Sequence, residues 1–271
     1  MTILVTGGTG LVGTRLLKRL ANSGSDCRAL VRPGKQVPEG VAPVQGDLQE
    51  PESLKTAVNG VSAIVHLAAV FRTQDEDAIW KANLDGTKNL IAAVKAQSPQ
   101  ARFIMASTIL VYNNDIPHPA REDDAAEPEL AYPASKVAAE KELRNSGLTW
   151  NVLRFPFVYG DKDGHLESAT PLLARMKRHP AQRFSLIHHQ DIATAVELAL
   201  SGVMDGHVVN IADDGPTTVY EMAHIIGANY EPSAEPLANP WMGQVDVTLA
   251  HSLGFKPTIL TIQQANREGK M

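Results

Sequence analysis

Thr6-Gly7-Gly8-Thr9-Gly10-Leu11-Val12-Gly13 follows the apolar run Ile3-Leu4-Val5 and leads directly into Thr14-Arg15-Leu16-Leu17-Lys18-Arg19-Leu20. The order is strand, glycine turn, amphipathic helix. Gly8, Gly10 and Gly13 satisfy G-x-G-x-x-G, and Gly7, Gly10 and Gly13 satisfy G-x-x-G-x-x-G. A tight turn needs a residue tolerant of positive φ, and a pyrophosphate reaches the backbone only where no Cβ intervenes; the last glycine lets the helix lie close to the strand. The free N–H groups of the first helical turn, with Leu11 and Val12 at its start, then face the phosphates along the helix dipole. A glycine-rich turn without a ligand is the plain alternative, and the strand before and helix after weigh against it.

The bulk properties allow this reading. The chain has 271 residues, 44% of them hydrophobic and 20% charged, enough for one large α/β domain or a nucleotide domain with a small extra lobe. A net charge of −5 recommends no nucleic-acid partner. The single cysteine, Cys27, precludes an internal disulfide and points to a reducing compartment. No apolar run approaches the roughly 20 residues of a membrane span. The first strand begins at Thr2, so no signal peptide is expected and a cytoplasmic location is.

Outward from the glycine turn, Asp26 to Val31 reads as a second strand closed by Arg32-Pro33-Gly34-Lys35. Where a dinucleotide fold meets the adenosine ribose, an acidic residue selects NAD and an arginine accommodates the 2′-phosphate of NADP. Arg32, with Lys35 nearby, therefore favours NADP, with NAD possible; a solvated basic turn is the other reading. Val41 to Val44 is a third strand, followed by Gly46-Asp47-Leu48 and a helix over Pro51 to Asn59. Val61 to Val70 is apolar and β-branched, as suits a strand buried on both faces. Small residues after it, Leu67-Ala68-Ala69, leave room for a flat ligand, and His66 reads as a satisfied core histidine. A long helical pattern covers Asp75 to Gln97, a strand Arg102 to Ala106, and an exposed loop Asn113 to Ala131 with a solvated acidic run, Arg121-Glu122-Asp123-Asp124. Tyr132 to Ser146 is helical and Thr149 to Phe155 is again a strand. This alternation predicts a doubly wound parallel sheet.

After Gly160 the rhythm changes. A helix is expected at about Ser168 to Arg178, a strand or turn at Ser185 to Gln190, a helix Ile192 to Leu200 capped by Asp191, and a strand His207 to Ile211. Helices follow at Val219 to Ile226 and Val245 to Gly254, and the tail from Glu268 is expected to fray. The expected organisation is a nucleotide-binding domain over 1–160, with 185–211 returning to it, and a small C-terminal substrate lobe made of 161–184 and 212–271.

The chemistry rests on Thr108, Tyr132 and Lys136, which follow successive strands of one sheet. Tyr132 and Lys136 stand one helical turn apart on one face. A phenol with an ordinary pKa near 10 is a poor base at neutral pH, and an ammonium beside it is expected to lower that value. Thr108 would hold the substrate oxygen while Tyr132 moves a proton and a nicotinamide exchanges hydride. No metal is expected: His188 and His189 face opposite sides of a strand and no ligand set is spaced around them. Arg175, Lys177, Arg178 and Arg183 read as a solvated face, with phosphate binding as the sharper alternative.

Over nearly its whole length the sequence resembles the extended short-chain dehydrogenase/reductases, the NAD-dependent epimerase/dehydratase family, whose nucleotide domain is a Rossmann fold. The glycine motif matches Thr6 to Gly13. Asp47-Leu48 resembles the acidic pair-position that contacts adenine, and His66-Leu67-Ala68-Ala69 the fourth-strand segment beside the cofactor. Asn83 in Asn83-Leu84-Asp85-Gly86-Thr87 matches the family's asparagine helix and joins the catalytic set by that resemblance. Ser107-Thr108 with Val111-Tyr112 matches the serine/threonine segment, Tyr132 to Lys136 the Y-x-x-x-K pair, and Leu153-Arg154-Phe155-Pro156 with Val158 the stretch beside the nicotinamide. His189-Gln190-Asp191 and Leu253-Gly254-Phe255-Lys256-Pro257 resemble later landmarks. Threonine stands where serine is commoner. Arg32 resembles the NADP-using reductases, and the short 161–183 region departs from the nucleotide-sugar enzymes. The resemblance implies an NADP(H)-dependent oxidoreductase on a small carbonyl or hydroxyl substrate. The alternatives are a nucleotide-sugar epimerase or dehydratase that retains its cofactor, and a non-catalytic NADP(H) sensor. It also implies a homodimer paired through the helices near Asp75–Gln97 and Tyr132–Ser146.

Overall fold

A computed structural model describes residues 1–271. Its centre is a parallel sheet formed by β1 (Thr2–Thr6), β2 (Asp26–Val31), β3 (Val41–Gln45), β4 (Ala63–His66), β5 (Arg102–Thr108), β6 (Trp150–Phe155) and a seventh strand, Val208–Asn210. Across the sheet the order is Val208–Asn210, β6, β5, β4, β1, β2, β3, and every neighbouring pair is parallel. Residues of β1 explain the apolar run. Ile3 and Val5 pack with Leu16, Leu17 and Leu20 of α1 (Leu11–Asn22) and with Ile192 and Val196 of the helix His189–Leu200. Leu4 packs the other way, with Leu54, Leu90 and Leu143 of three further helices. A strand covered on both faces has no polar side to alternate with. The result is the doubly wound, Rossmann-like architecture. Chain order reverses between β1 and β4, which opens a crevice at their carboxyl ends, just where the glycine turn lies.

Beyond β6 the chain builds a smaller layer. Phe157–Tyr159 pairs in parallel with Leu186–His188, and Arg183–Phe184 pairs antiparallel with Thr217–Thr218. Tyr159, Leu166, Leu186, Met222, Ile259 and Ile262 form its separate core. No helix is long and apolar enough to cross a membrane.

Several sequence expectations need correction. The expected strand Val61 to Val70 pairs only over Ala63–His66, because Ala68 N–H turns to the Thr6 hydroxyl and Val70 is held by Asn83. The helical pattern from Asp75 is broken by a π-helical turn at Lys81–Asp85, which sets Asn83 fully inward. The helix expected from Ser168 starts earlier and spans His165–Arg175, and the last helices are Thr248–Ser252 and an unanticipated Ile262–Arg267. Asp191 does not cap its helix: the His188 ring accepts Gln190 N–H instead, while Asp191 accepts from Thr258 N and Oγ1 and from Ile259 N. Its carboxylate thus anchors the C-terminal segment. Nor does the tail fray. Lys270 O accepts Asp161 N–H at 3.0 Å and His188 Nε2–H at 2.9 Å, and Met271 O accepts Lys162 N–H at 2.8 Å. In the acidic loop, Glu122 turns inward and accepts Asn210 N–H at 2.9 Å, and burial raises its pKa.

Candidate active site

Local backbone chemistry builds the floor. Gly7 sits at φ +72°, and a Cβ there would stand 2.7 Å from Ala68 N, so β1 and β4 close on each other only through glycine. Gly10 N–H donates to Gly7 O at 2.9 Å. Gly10 caps α1 without a side-chain partner, and the N–H groups of Leu11, Val12 and Gly13 find no acceptor within the protein. A turn stripped of Cβ atoms that leaves three amides without a protein acceptor, with Leu11 and Val12 lining the cavity, fits a pyrophosphate. Gly13 in turn sits directly against Gly7 and Gly8 backbone, where any side chain would clash.

His66 proves to be the satisfied core histidine expected. Ala68 N–H donates to Thr6 Oγ1, whose hydroxyl meets His66 Nδ1 at 2.7 Å; His66 Nε2 meets Thr87 Oγ1 at 2.9 Å, and Thr87 donates to Asn83 O. That chain admits one direction only, with the proton on Nε2. Burial, reinforced by the Lys136 charge, holds the ring neutral with a pKa of about 3. The relay locks the chain leaving β4, where Leu67 and Ala69 face a cavity and Ala68 backs onto Gly7.

The cavity, about 610 Å³, lies between the carboxyl ends of the strands and the smaller layer. Thr108, Tyr132 and Lys136 all line it, with Leu11, Val12, Phe155, Pro156 and Val158. Thr108 ends β5, and its hydroxyl accepts Leu110 N–H at 3.2 Å, starting a single turn of 3-10 helix. Tyr132 lies in the first turn of the helix Ala131–Arg144, with its ring 4.5 Å from that of Phe71. Lys136 is 2% exposed and forms no ion pair. Asn83 stands outside the cavity. Its Oδ1 accepts Val70 N–H at 2.7 Å, and its amide donates to Val70 O and to Ser135 Oγ, which donates on to Tyr132 O.

Electrostatics correct one expectation. The Tyr132 phenol is not lowered by its neighbour: burial pushes its pKa up to about 12. Burial acts on Lys136 in the opposite sense, down to about 8, partly offset by Glu140. Glu140 sits one further turn along the same stripe and pairs with Arg154 at 2.7 Å, both nearly fully buried. Ser107 donates to the same carboxylate, and Arg154 donates to Tyr112 Oη, which donates to Asn210. This network ties the Tyr132 helix to β5, β6 and Val208–Asn210. Burial opposes the charge on Arg154, but the hydrogen bonds and charge of Glu140 outweigh it and raise its pKa, so the guanidinium stays charged.

Arg32 and Lys35 are exposed after β2, flanking Gly34. Asp47 caps its own turn by accepting Gln49 N–H, and Leu48 packs against Gly86. They lie outside the cavity, at the end expected for adenosine. Sequence reasoning missed the far wall: Phe71, Arg72, His165, Phe184 and Met222 also line the cavity. No spacing rule signals them, because they come from loops and the smaller layer. His165 does carry one local sign, an Asp163 that caps it two residues before.

A glycine-rich turn joined in one crevice to a half-buried Tyr132 and, one helical turn on, a buried Lys136 defines a nicotinamide-dependent enzyme of the short-chain dehydrogenase/reductase type. The model of the NAD dependent epimerase/dehydratase family matches residues 3–212, and the chain belongs to that family. It is 30% identical over 241 residues to a ceramide reductase of Caulobacter vibrioides, covering 83% of this chain and 71% of that one. It is 32% identical over 180 residues to the 4-hydroxy-2-methyl-3-oxo-4-farnesyl-3,4-dihydroquinoline-1-oxide ketoreductase of Stigmatella aurantiaca, covering 60% and 52%. Its fold matches a short-chain dehydrogenase/reductase superfamily protein of Agrobacterium tumefaciens with bound NAD, at TM-score 0.81 and 22% identity over 99% of this chain and 95% of the other.

Proposed function

We propose that the protein is an NADP(H)-dependent carbonyl reductase in which Tyr132 gives a proton to the substrate oxygen. The observation that carries this is that Thr108, Tyr132 and Lys136 line one cavity together with Leu11 and Val12 at the start of the glycine-turn helix, where burial keeps the phenol protonated. A phenol held in its protonated form is a proton donor, which suits reduction of a carbonyl rather than oxidation of an alcohol.

The bound nicotinamide dinucleotide supplies the hydride. Gly7, Gly10 and Gly13, with the amides of Leu11 and Val12, would hold its pyrophosphate. Leu67, Ala68, Ala69, Phe155, Pro156 and Val158 would bound its nicotinamide end. Asp47 and Leu48 would meet the adenine. Arg32 and Lys35, with no carboxylate between them, favour the 2′-phosphate. Thr108 Oγ1 donates to the substrate oxygen and aims it at Tyr132 Oη. Tyr132 releases its proton as negative charge gathers on that oxygen, and the Lys136 ammonium stabilises the phenolate left behind. Asn83 acts through position: it fastens Val70 and the first turn of the Tyr132 helix. Residues 161–184 and 212–271 form the substrate lobe in this reading. The protein is taken as a homodimer paired through the helices flanking Asn83 and Tyr132, and as cytoplasmic, with Cys27 reduced.

The test is direct. NADPH should bind more tightly than NADH in a calorimetric titration, and Tyr132→Phe should lose about a hundredfold or more in turnover while binding NADPH as before. Loss of reduced-nicotinamide absorbance during turnover supports net reduction. Turnover without such loss would identify an epimerase or dehydratase, and equal turnover by Tyr132→Phe would remove the assigned proton donor.

A further inference from the structure

We propose that the substrate is an amphipathic keto acid: a hydrocarbon body that fills the apolar wall, and a carboxylate that pairs with Arg178. The inference rests on the carbonyl-reductase reading and goes on to name the substrate class.

Beyond Tyr132 and Thr108 the wall is formed by Phe157, Leu172, Leu173, Met176, Phe184 and Met222. The apolar surface continues out of the mouth, where Phe71, Leu110 and Met176 are 50%, 54% and 53% exposed. Large side chains held in water around an opening favour a ligand that covers them. A sugar diphosphate would bring hydroxyls and two charged groups to this wall, which has few partners for them.

Two arginines reach the cavity. Arg72 is committed: its Nη2 donates to His165 Nε2, since His165 Nδ1 already donates to Val158 O, and its guanidinium lies 5.3 Å from the Phe71 ring centroid. Arg178 is not. It lines this cavity and the adjoining cleft that shares Tyr132, Ile109 and Leu110. Its guanidinium reaches only Met242 Sδ, at 3.6 Å. Asp115, Glu127 and Glu129 line the same cleft, yet none forms an ion pair with it. The chain position is fixed from the backbone, where Tyr230 Oη donates to Arg178 O at 2.7 Å. A half-buried guanidinium at the edge of an apolar wall, positioned but without an ion-pair partner, is matched by a carboxylate, which accepts its forked N–H groups in pairs.

The experiment uses the full chain with NADPH and a set of oxodecanoates with the ketone at successive positions, each beside its methyl ester. At least one free acid should exceed its ester about tenfold in kcat/KM, and levulinate should fall about a hundredfold below the best decanoate. Arg178→Met should bring acid and ester together, and Arg178→Lys should restore part of the difference. Equal values for every acid and ester, or a preference that survives Arg178→Met, would overturn the proposal. If no ketone is reduced, the reductase reading fails while this inference stays testable by calorimetry with decanoate, which has no carbonyl to reduce. Decanoate should bind about tenfold more weakly to Arg178→Met than to the native chain, with decanol binding both and so reporting an intact cavity; equal decanoate affinities would overturn it.

Discussion

Replacing Lys136 by Met should make the protein more stable at neutral pH while destroying its chemistry. The ammonium is 2% exposed, has no ion pair, and its pKa falls from 10.5 to about 8 by burial. At about 1.4 kcal/mol per pH unit, that fall corresponds to about 3 kcal/mol of destabilisation carried by the charged form. The sign follows from linkage. A base whose folded pKa is depressed contributes full relative stability only above its unfolded value, loses it as pH falls from 10.5, and carries the whole penalty below about 8. Met is one atom shorter but keeps the unbranched shape of the side chain and has nothing to protonate. Urea denaturation of both proteins between pH 6.5 and 10 should therefore show Lys136→Met ahead by about 3 kcal/mol below pH 8, with the gap closing towards pH 10. Tyr132 and Cys27, whose values are raised to about 12 and about 11, lose stability at the alkaline end in both proteins and cancel in the difference. Carbonyl reduction by the native enzyme should decline above pH 8 as the ammonium is lost. A variant no more stable than the native chain at pH 7, or a gap independent of pH, would refute the claim that burial dominates Lys136.

Gly7→Ala should cost about 2 kcal/mol or more, since its Cβ would stand 2.7 Å from Ala68 N at positive φ; thermal melting reads this, and an NADPH titration should show weakened binding. Glu140→Gln leaves Arg154 charged and buried without its counter-ion and should lose about 3 kcal/mol in denaturant unfolding; a loss below about 1 kcal/mol would mean that water reaches the pair. Deleting Lys270 and Met271 removes the acceptors of Asp161 N, Lys162 N and His188 Nε2. At about 1 kcal/mol for each hydrogen bond the loss is about 3 kcal/mol, with amide exchange at Asp161 and Lys162 accelerated first.

What the sequence discloses here is what short-range spacing can carry. The glycine turn, the two-sided burial of β1 and the one-turn interval between Tyr132 and Lys136 are local, and each stands in the structure where its pattern puts it. The π-helical turn at Lys81–Asp85 leaves no such mark, because one extra residue per turn still resembles an amphipathic helix. The tail and Asp191 escape for a different reason: their partners lie far along the chain, Lys270 with Asp161 and Asp191 with Thr258. The apolar wall is likewise assembled from segments without period, and the basic stretch Arg175 to Arg183 does not by itself tell that Arg178 is the one that turns to the cavity. Spacing also misleads on the pKa of Tyr132: it reports the nearby charge and is silent on burial, and here burial sets the direction.

The stripe Tyr132, Lys136, Glu140 then acquires a single explanation. Successive turns of one helix face the cavity, its edge and the core. The first residue is left uncharged by burial, the second keeps a costly charge, and the third has its charge fully compensated by Arg154 and Ser107. The cost borne at Lys136 requires a helix that cannot swing its ammonium into solvent. Glu140 supplies that restraint by binding the helix to β5 and β6, and Asn83 supplies it at the other end through Ser135 and the Tyr132 carbonyl. Relaxing the Asn83 anchor should therefore move the Lys136 titration back towards 10.5 before it unfolds the protein, a shift that NMR of the lysine side chain can follow and that a purely structural anchor would not produce, whereas removing the Glu140 charge takes away what partly offsets burial and should lower the titration further.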